Sequence, residues 1–403
     1  MPIATGIAKQ VRYKTEVTYN TAPGAASAQL LRRVESTIGV EKDTYQSAEL
    51  RSDYQISDFR HGTRRTMGSI KGELSPRTYS DFIGAALRRD FAAVTAIAGA
   101  SITIAGAGPY TITRAAGSFL TDGIKAGDVI RLSVGTFNAN NLLKNIYVVS
   151  LTSTVLTVIV PNGSTLTAEG PIASSTVTVF GKKTFTPATG HTDKSFAIEH
   201  WFSDATLSEL YTGCKISTLD LALPPTGMAT IDVGLMGSGG ITTASSAYYT
   251  SPTAATTTGI AAAVNGVLYI GGSAVATCTG LSLKVDGGYS GDPVVGSNVM
   301  PSIFAGRVNV TGQFSAYFDS ATYRDAFLNE SELAISVVLT SDNTAASDFV
   351  AITVPRIKLG SAQRSDGEKG LMLTSDFQAL FNGTGGTGTS SEQTTLSIQD
   401  SAA

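Results

Sequence analysis

The sequence predicts a mainly β fold: a sandwich or barrel of many short strands, flanked by a helix and carrying a small inserted β domain. Three observations lead there. Apolar residues alternate with polar or small ones in run after run, the period of a half-buried strand. The runs end on turn signals such as Pro224-Pro225, Asp286-Gly287-Gly288 and Ser341-Asp342-Asn343. Gly reaches 42 of 403 residues, which suits strands joined by many turns.

The elements follow in chain order. Ser75-Pro76 reads as a helix start, with Tyr79, Phe82, Ile83, Ala86 and Leu87 on one face. Residues 91–180 are almost free of charge and carry strand signals of their own: Ile102 and Ile104, Tyr110 and Ile112, Val129 to Leu132, Tyr147 to Leu151, Val155 to Val160, and Val177 and Val179. This stretch is expected to be an inserted accessory β domain, which requires that the chain enter and leave it at neighbouring points. The remaining segments, 1–90 and 181–403, are expected to form one discontinuous core domain. Ser203 is read as opening a second helix with Leu207, Leu210 and Tyr211, closed by Gly213. Strands follow at Leu219–Leu223, Ile231–Leu235, Leu281–Val285, then two runs around Gly312 at Val308–Val310 and Phe314–Phe318, and Leu333–Leu339 and Val350–Val354. Ser320 opens a third helix with Tyr323, Phe327 and Leu328. Phe202–Thr206 resembles Phe318–Thr322, which hints at a duplicated strand–helix–strand unit. Gly239–Gly259 and Gly383–Ser391 read as loops, and 383–403 as a flexible tail.

Charge narrows the function. Charged residues are only 15% of the chain, low for a fully solvated surface and suited to one covered by other copies. A net charge of −3 gives no basic stripe for gripping nucleic acid. Residues 1–90 hold 14 basic and 10 acidic side chains, and residues 91–403 hold 15 and 22. Opposite charge of this kind can meet across a subunit interface. The N-terminus lacks the apolar run of a signal peptide, and Phe91–Tyr110 is too rich in Gly, Ala and Thr for a membrane span, so a protein made in the cytoplasm is expected.

Catalytic signatures are missing. There is no GxSxG, HExxH or P-loop sequence, and Gly234–Gly240 precedes no helix and no Lys. His61, His191 and His200 are scattered, and Cys214 and Cys278 form no CxxC pair, so no metal or cofactor is expected and the cysteines are read as two reduced, buried thiols.

Short blocks then carry a resemblance. Lys14–Pro23 reads KTEVTYNTAP; Ser47–Arg51, Asp53–Gln55, His61-Gly62 and Gly68–Leu74 follow; Phe196–Phe202 leads to Tyr211–Gly213, Ser217–Leu219 and Pro224-Pro225. In this order, over about 1–90 and 181–380, the chain resembles the tail tube proteins of long-tailed bacteriophages. The resemblance implies a β-sandwich flanked by a helix, with six copies forming a ring whose inner strands join into one barrel. It implies rings stacked around the tape measure protein, between the tail terminator and the distal tail or baseplate proteins, with double-stranded phage DNA only in transit. It implies a virion tail component assembled in the host cytoplasm, with no membrane and no catalysis, and an insert that projects outward. Carried onto this sequence, the arm around 40–65 is the expected ring-to-ring contact, with Glu49, Arg51, Asp53, Arg60, Arg64 and Arg65 as its polar residues. Asp220, Asp232, Glu332 and Asp342 are the expected lumen-facing carboxylates, because a conduit wall should repel DNA rather than hold it. The competing readings are another virion decoration or adhesion subunit and, behind it, a β-rich glycan hydrolase.

Overall fold

A computed structural model describes residues 3–366, 368 and 370–403. The chain opens with β1 (Lys9–Thr15), β2 (Ala26–Leu30), β3 (Glu35–Ser36), β4 (Gly39–Gln46), β5 (Phe59–Glu73) and α1 (Ser80–Leu87). Next come β6 (Ile97–Ala105), β7 (Tyr110–Arg114), β8 (Val129–Ser133), β9 (Ile146–Leu151), β10 (Val155–Ile159) and β11 (Glu169–Val179). The body resumes with β12 (Lys182–Phe185), β13 (Phe196–Phe202), β14 (Leu207–Leu223), β15 (Thr230–Gly237), β16 (Gly240–Ala244) and β17 (Ser251–Thr253). It ends with β18 (Gly266–Ile270), β19 (Ser273–Ala274), β20 (Cys278–Asp286), β21 (Asn309–Tyr317), α2 (Thr322–Leu328), β22 (Leu333–Thr340), β23 (Phe349–Leu359), β24 (Gln363–Arg364), β25 (Met372–Ala379) and β26 (Ser397–Asp400). The protein is mainly β, as its sequence predicts.

The stretch from β6 to β11 closes into a six-stranded barrel in the order β10-β7-β6-β11-β8-β9. It has its own core, including Ile102, Ile112, Leu132, Val148 and Leu156. The chain passes in and out of this barrel side by side. Ala92 and Lys183 exchange both backbone hydrogen bonds at 2.9 Å.

One sheet dominates the body, with strands hydrogen-bonded in the order β3/β4-β5-β15-β14-β20-β21-β25-β23/β24. Residues directly opposite on paired strands share a face, so the register sorts side chains into rows. The row Ile70–Val233–Leu219–Val285–Val310 lies on the core side, and all five are buried. α1 covers this core through Phe82, Ile83, Ala86 and Leu87. Phe82 sits edge-on to Phe196, with ring centroids 5.1 Å apart.

Helix α1 begins later than the Ser75-Pro76 signal suggests. Arg77 takes a left-handed φ of 68°, which interrupts the helical path. The helix start is held instead from the far end of the chain. The Asp400 carboxylate accepts from the Arg77 backbone N–H at 2.7 Å and from the Ser80 hydroxyl at 3.0 Å.

The expected helix after Ser203 is not a helix. Residues 207–223 form one 17-residue strand, β14. The apolar neighbours Leu210 and Tyr211 arise because this strand is covered on both faces there, Leu210 packing with Ala28, Ala197 and Tyr249 while Tyr211 faces the main core; Leu207, at the strand's start, is exposed and completes the helical spacing by chance. Gly213, read as a helix stop, is a bulge glycine at φ 67° whose N–H donates to Glu16 at 2.8 Å. The Ser320 helix is present as α2, so the suggested pairing of Phe202–Thr206 with Phe318–Thr322 fails.

A different duplication holds. The order β1, β2, β3–β4, β5, α1, β13, β14, β15, β16 recurs as β18, β19, β20, β21, α2, β22, β23–β24, β25, β26, with the same neighbours paired. The registers agree residue by residue. Ile198 faces Tyr211 and then Phe196 faces Cys214; Ile335 faces Val354 and then Leu333 faces Ile357, so both hairpins carry the same one-residue bulge. Gly68 faces Leu235 as Gly312 faces Phe377. Thr78-Tyr79-Ser80-Asp81 superposes in sequence on Thr322-Tyr323-Arg324-Asp325. The barrel of 97–179 interrupts only the first repeat, after α1.

Residues 397–400, expected in a flexible tail, are all buried and lie between β12 and β23 as β26. Of the loop expected at 239–259, two short pieces are strands, β16 and β17.

Candidate functional site: a polar sheet face with two free edges

The large sheet turns its other face outward. Its central row runs Glu35–Lys71–Asp232–Asp220–Lys284–Thr311–Gln378–Lys358 across eight strands. The rows beside it add Glu73, Asp286, Gln313 and Asp376. Six carboxylates therefore face three ammonium groups, and the face is acidic on balance. Lys71 Nζ lies 3.9 Å from both Glu35 and Asp232. Asp220 stands directly opposite Asp232. Partial burial pushes the Asp220 carboxyl up; Lys284 opposes that, and Asp232 and Asp286 add to it. Gln313 Nε2 donates to Asp376 at 2.7 Å, and Gln378 Nε2 donates to Asn309 at 2.9 Å.

Of the four carboxylates expected together, the fold joins only Asp220 and Asp232. Glu332 precedes β22 and pairs with Arg356 at 2.5 Å. Asp342 follows β22 in a turn, accepting from the Thr344 N–H at 2.7 Å. Neither belongs to the row.

Both margins of this sheet are open. Among the described residues β3 and β4 pair only with β5, and β24 only with β25. An unpaired strand edge carries a line of free N–H and C=O groups that readily pair with another chain.

The β4–β5 hairpin extends past the sheet and ends in the 47–58 loop. Its charged residues pair locally. Arg51 grips Asp53 through Nε at 3.0 Å and Nη2 at 2.7 Å, which holds the exposed Asp53 carboxyl below its usual range. Arg60 meets Asp58 at 2.6 Å, and Glu49 accepts from the Ser57 hydroxyl at 3.1 Å. Arg65 reaches Glu41 and Asp43 at 3.5 and 3.4 Å. The Arg64 backbone N–H donates to the Asn298 carbonyl at 2.8 Å. The six expected contact residues thus share one hairpin but form separate pairs along it. What the charge reading passed over is the apolar tip: Leu50 and Tyr54 are fully exposed, and Tyr45, Ile56 and Phe59 are largely so. The signal was present in the sequence, since large apolar residues in an otherwise polar loop mark an interaction surface.

His200 is buried, with Nε2 2.9 Å from the Ser36 hydroxyl. Burial, aided by Lys9 and Arg33, pushes its pKa down to about 3, so the ring stays neutral. Cys214 is buried and Cys278 partly so, both as free thiols. Among the described residues no three His, Cys, Asp or Glu side chains gather as metal ligands.

A family model described as "Phage tail tube protein" matches residues 6–379. No curated protein matches the chain.

Proposed function

The chain belongs to the phage tail tube protein family and is a structural subunit of the virion tail; on that premise we propose that it closes into rings that stack into a hollow conduit for the genome. The observation that carries this reading is the large sheet, apolar on one side, acidic on the other and unpaired at both margins. A sheet of this kind satisfies its edges by joining sister copies, and a head-to-tail joint that closes by rotation makes a ring.

In this reading the acidic face, with Asp220 and Asp232 at its centre, lines the bore. A surplus of carboxylates repels phosphate, so DNA slides without being held. The apolar tip of the β4–β5 hairpin seats on the neighbouring ring, with Glu49, Arg51, Asp53, Arg60, Arg64 and Arg65 forming its polar rim. The inserted barrel projects from the outer wall. The tape measure protein occupies the bore before ejection, and terminator and baseplate proteins meet the two ends. Assembly takes place in the host cytoplasm and involves no catalytic step.

Electron microscopy of the purified protein tests the proposal. Hollow filaments or stacked rings are expected, with the β3–β4 margin covered. A strongly basic bore rejects the lumen assignment, and a monomer with bare sheet margins inside native particles rejects the tube.

A further inference from the structure

The two repeats described above are joined inside the chain in one specific way. In the order of the large sheet, the innermost strand of the first repeat, β14, pairs with the innermost strand of the second, β20, from Thr218 opposite Asp286 to Leu223 opposite Leu281. The equivalent of β14 in the second repeat is β23–β24, where Lys215 matches Lys358, Asp220 matches Gln363 and Leu221 matches Arg364 at a constant offset. The equivalent of β20 in the first repeat is β3–β4, where Ser36 matches Leu281 and Glu41 matches Asp286. These two equivalents are the open margins of the sheet. The chain therefore contains one copy of a joint and, at its two ends, both unused halves of the same joint.

We infer that β24 of one chain pairs with β3–β4 of the next in the β14–β20 register, and that three chains, rather than six, close each ring. Mapped across the offset, Ser361 stands opposite Glu41 of the neighbouring copy, and Gln363 opposite Gly39. The expectation of six copies counted one tube-fold unit per chain, but each chain supplies two. Bore width decides between the alternatives. Each chain contributes eight strands to the face that would line the bore. With strands about 4.8 Å apart and tilted by about 40°, a 24-strand barrel from three chains is about 48 Å across between backbones, and a 48-strand barrel from six is about 96 Å. Once side chains project inward, the smaller passes a single DNA duplex, whereas the larger leaves most of its section empty. The edge pairing follows from the repeat alone; the count of three rests on the tube reading.

The test is a double variant, Ser361→Cys with Glu41→Cys in a Cys278→Ser background, assembled and treated with a short bis-maleimide. A denaturing gel ladder that stops at three chains is the expected result, with threefold symmetry in images of tubes from the unmodified protein. A ladder continuing to six chains, or true sixfold symmetry, overturns the count and leaves the tube reading standing. Tubes that form but do not cross-link at these positions, and whose images show another strand at the β24 margin, overturn the register. Failure of the unmodified protein to form rings or tubes under any condition overturns the tube reading and the ring count with it.

Discussion

Asp220 on β14 faces Asp232 on β15 directly across the strand pair, and each has a lysine on its far side: Lys284 beside Asp220, Lys71 beside Asp232. Two adjacent carboxylates are a cost the fold accepts, since like charges opposite one another in a sheet destabilise it by roughly 0.2–1 kcal/mol. Nothing in the packing of the core needs them there. In the proposed tube, their position on the acidic face gives them a use, in a wall that must not bind phosphate.

Replacing Asp220 by Asn should therefore raise stability by about 0.5 kcal/mol, read as a higher melting temperature at neutral pH. The sign of the pH dependence follows from the upward displacement of the Asp220 pKa. The folded protein takes up this proton more readily than the unfolded chain, so this group's contribution improves as pH falls toward the ordinary carboxylate range. The Asn variant should lack that part of the response. In assembled tubes the same change, made together with Asp232→Asn, should slow DNA passage, measured as ejection rate from reconstituted particles.

Lys183 is the centre of a buried triad that fastens the inserted barrel to the body. Its ammonium lies 2.5 Å from Asp128, just ahead of β8, and also pairs with Glu392. Burial alone would lower the lysine pKa, but the two carboxylates raise it above its usual value. Lys183→Met leaves two buried carboxylates without a partner and should cost about 3–5 kcal/mol in chemical denaturation, with much of the loss restored by adding Asp128→Asn and Glu392→Gln.

The same triad sets a second pH response. Burial pushes Asp128 up to about 6, against the pull of Lys183 and with the help of Glu392. Because this folded-state value lies above the unfolded one, protonation favours the fold. Stability from this group is gained as pH falls through 6 and is lost as pH rises through it. Asp128→Asn should flatten the melting temperature between about pH 4, the ordinary carboxylate value, and about pH 6 relative to the native chain.

Gln399 supplies the other fastening. Its side chain accepts from the Val129 N–H at 2.8 Å and donates to the carbonyls of Val129 and Phe180 at 2.8 and 2.6 Å, standing in for a strand neighbour. Gln399→Leu would strand the Val129 N–H and the Phe180 carbonyl at a cost of about 1–3 kcal/mol for each one left unsatisfied, while the Val129 carbonyl keeps the Phe180 N–H at 3.0 Å. Faster hydrogen exchange at the Val129 amide is the measurement that reports it.

At the hairpin tip, Leu50→Asp with Tyr54→Asp should leave the fold intact, because both side chains are fully exposed. Circular dichroism and melting temperature should be unchanged within about 0.5 kcal/mol. Single rings should still form, but filaments should shorten or vanish in electron micrographs.

Much of the fold was legible in the residues. Leu219–Leu223, Ile231–Leu235 and Leu281–Val285 alternate because each strand has one wet face, and period-two patterning reports that face directly. The strand signals within the charge-poor stretch 91–180 were legible for the same reason. The misreading at Leu207–Tyr211 came from a strand covered on both sides, where alternation disappears and chance spacing imitates a helix. The 397–400 segment was misjudged because its polar residues, Gln399 and Asp400, bond to backbone and side chains 219 to 323 residues away.

The sequence by itself determined the β class and the scarcity of charge, because periodicity and composition are properties of the chain alone, and its short blocks from Lys14–Pro23 to Pro224-Pro225 carried the resemblance to the family. Only the tertiary structure decided which carboxylates stand together, which strand margins stay open and that the body is one unit built twice. Those depend on register, and register is set by which rows of side chains meet across strands far apart in the chain. Asp220 and Asp232 became neighbours for that reason, while Glu332 and Asp342 did not.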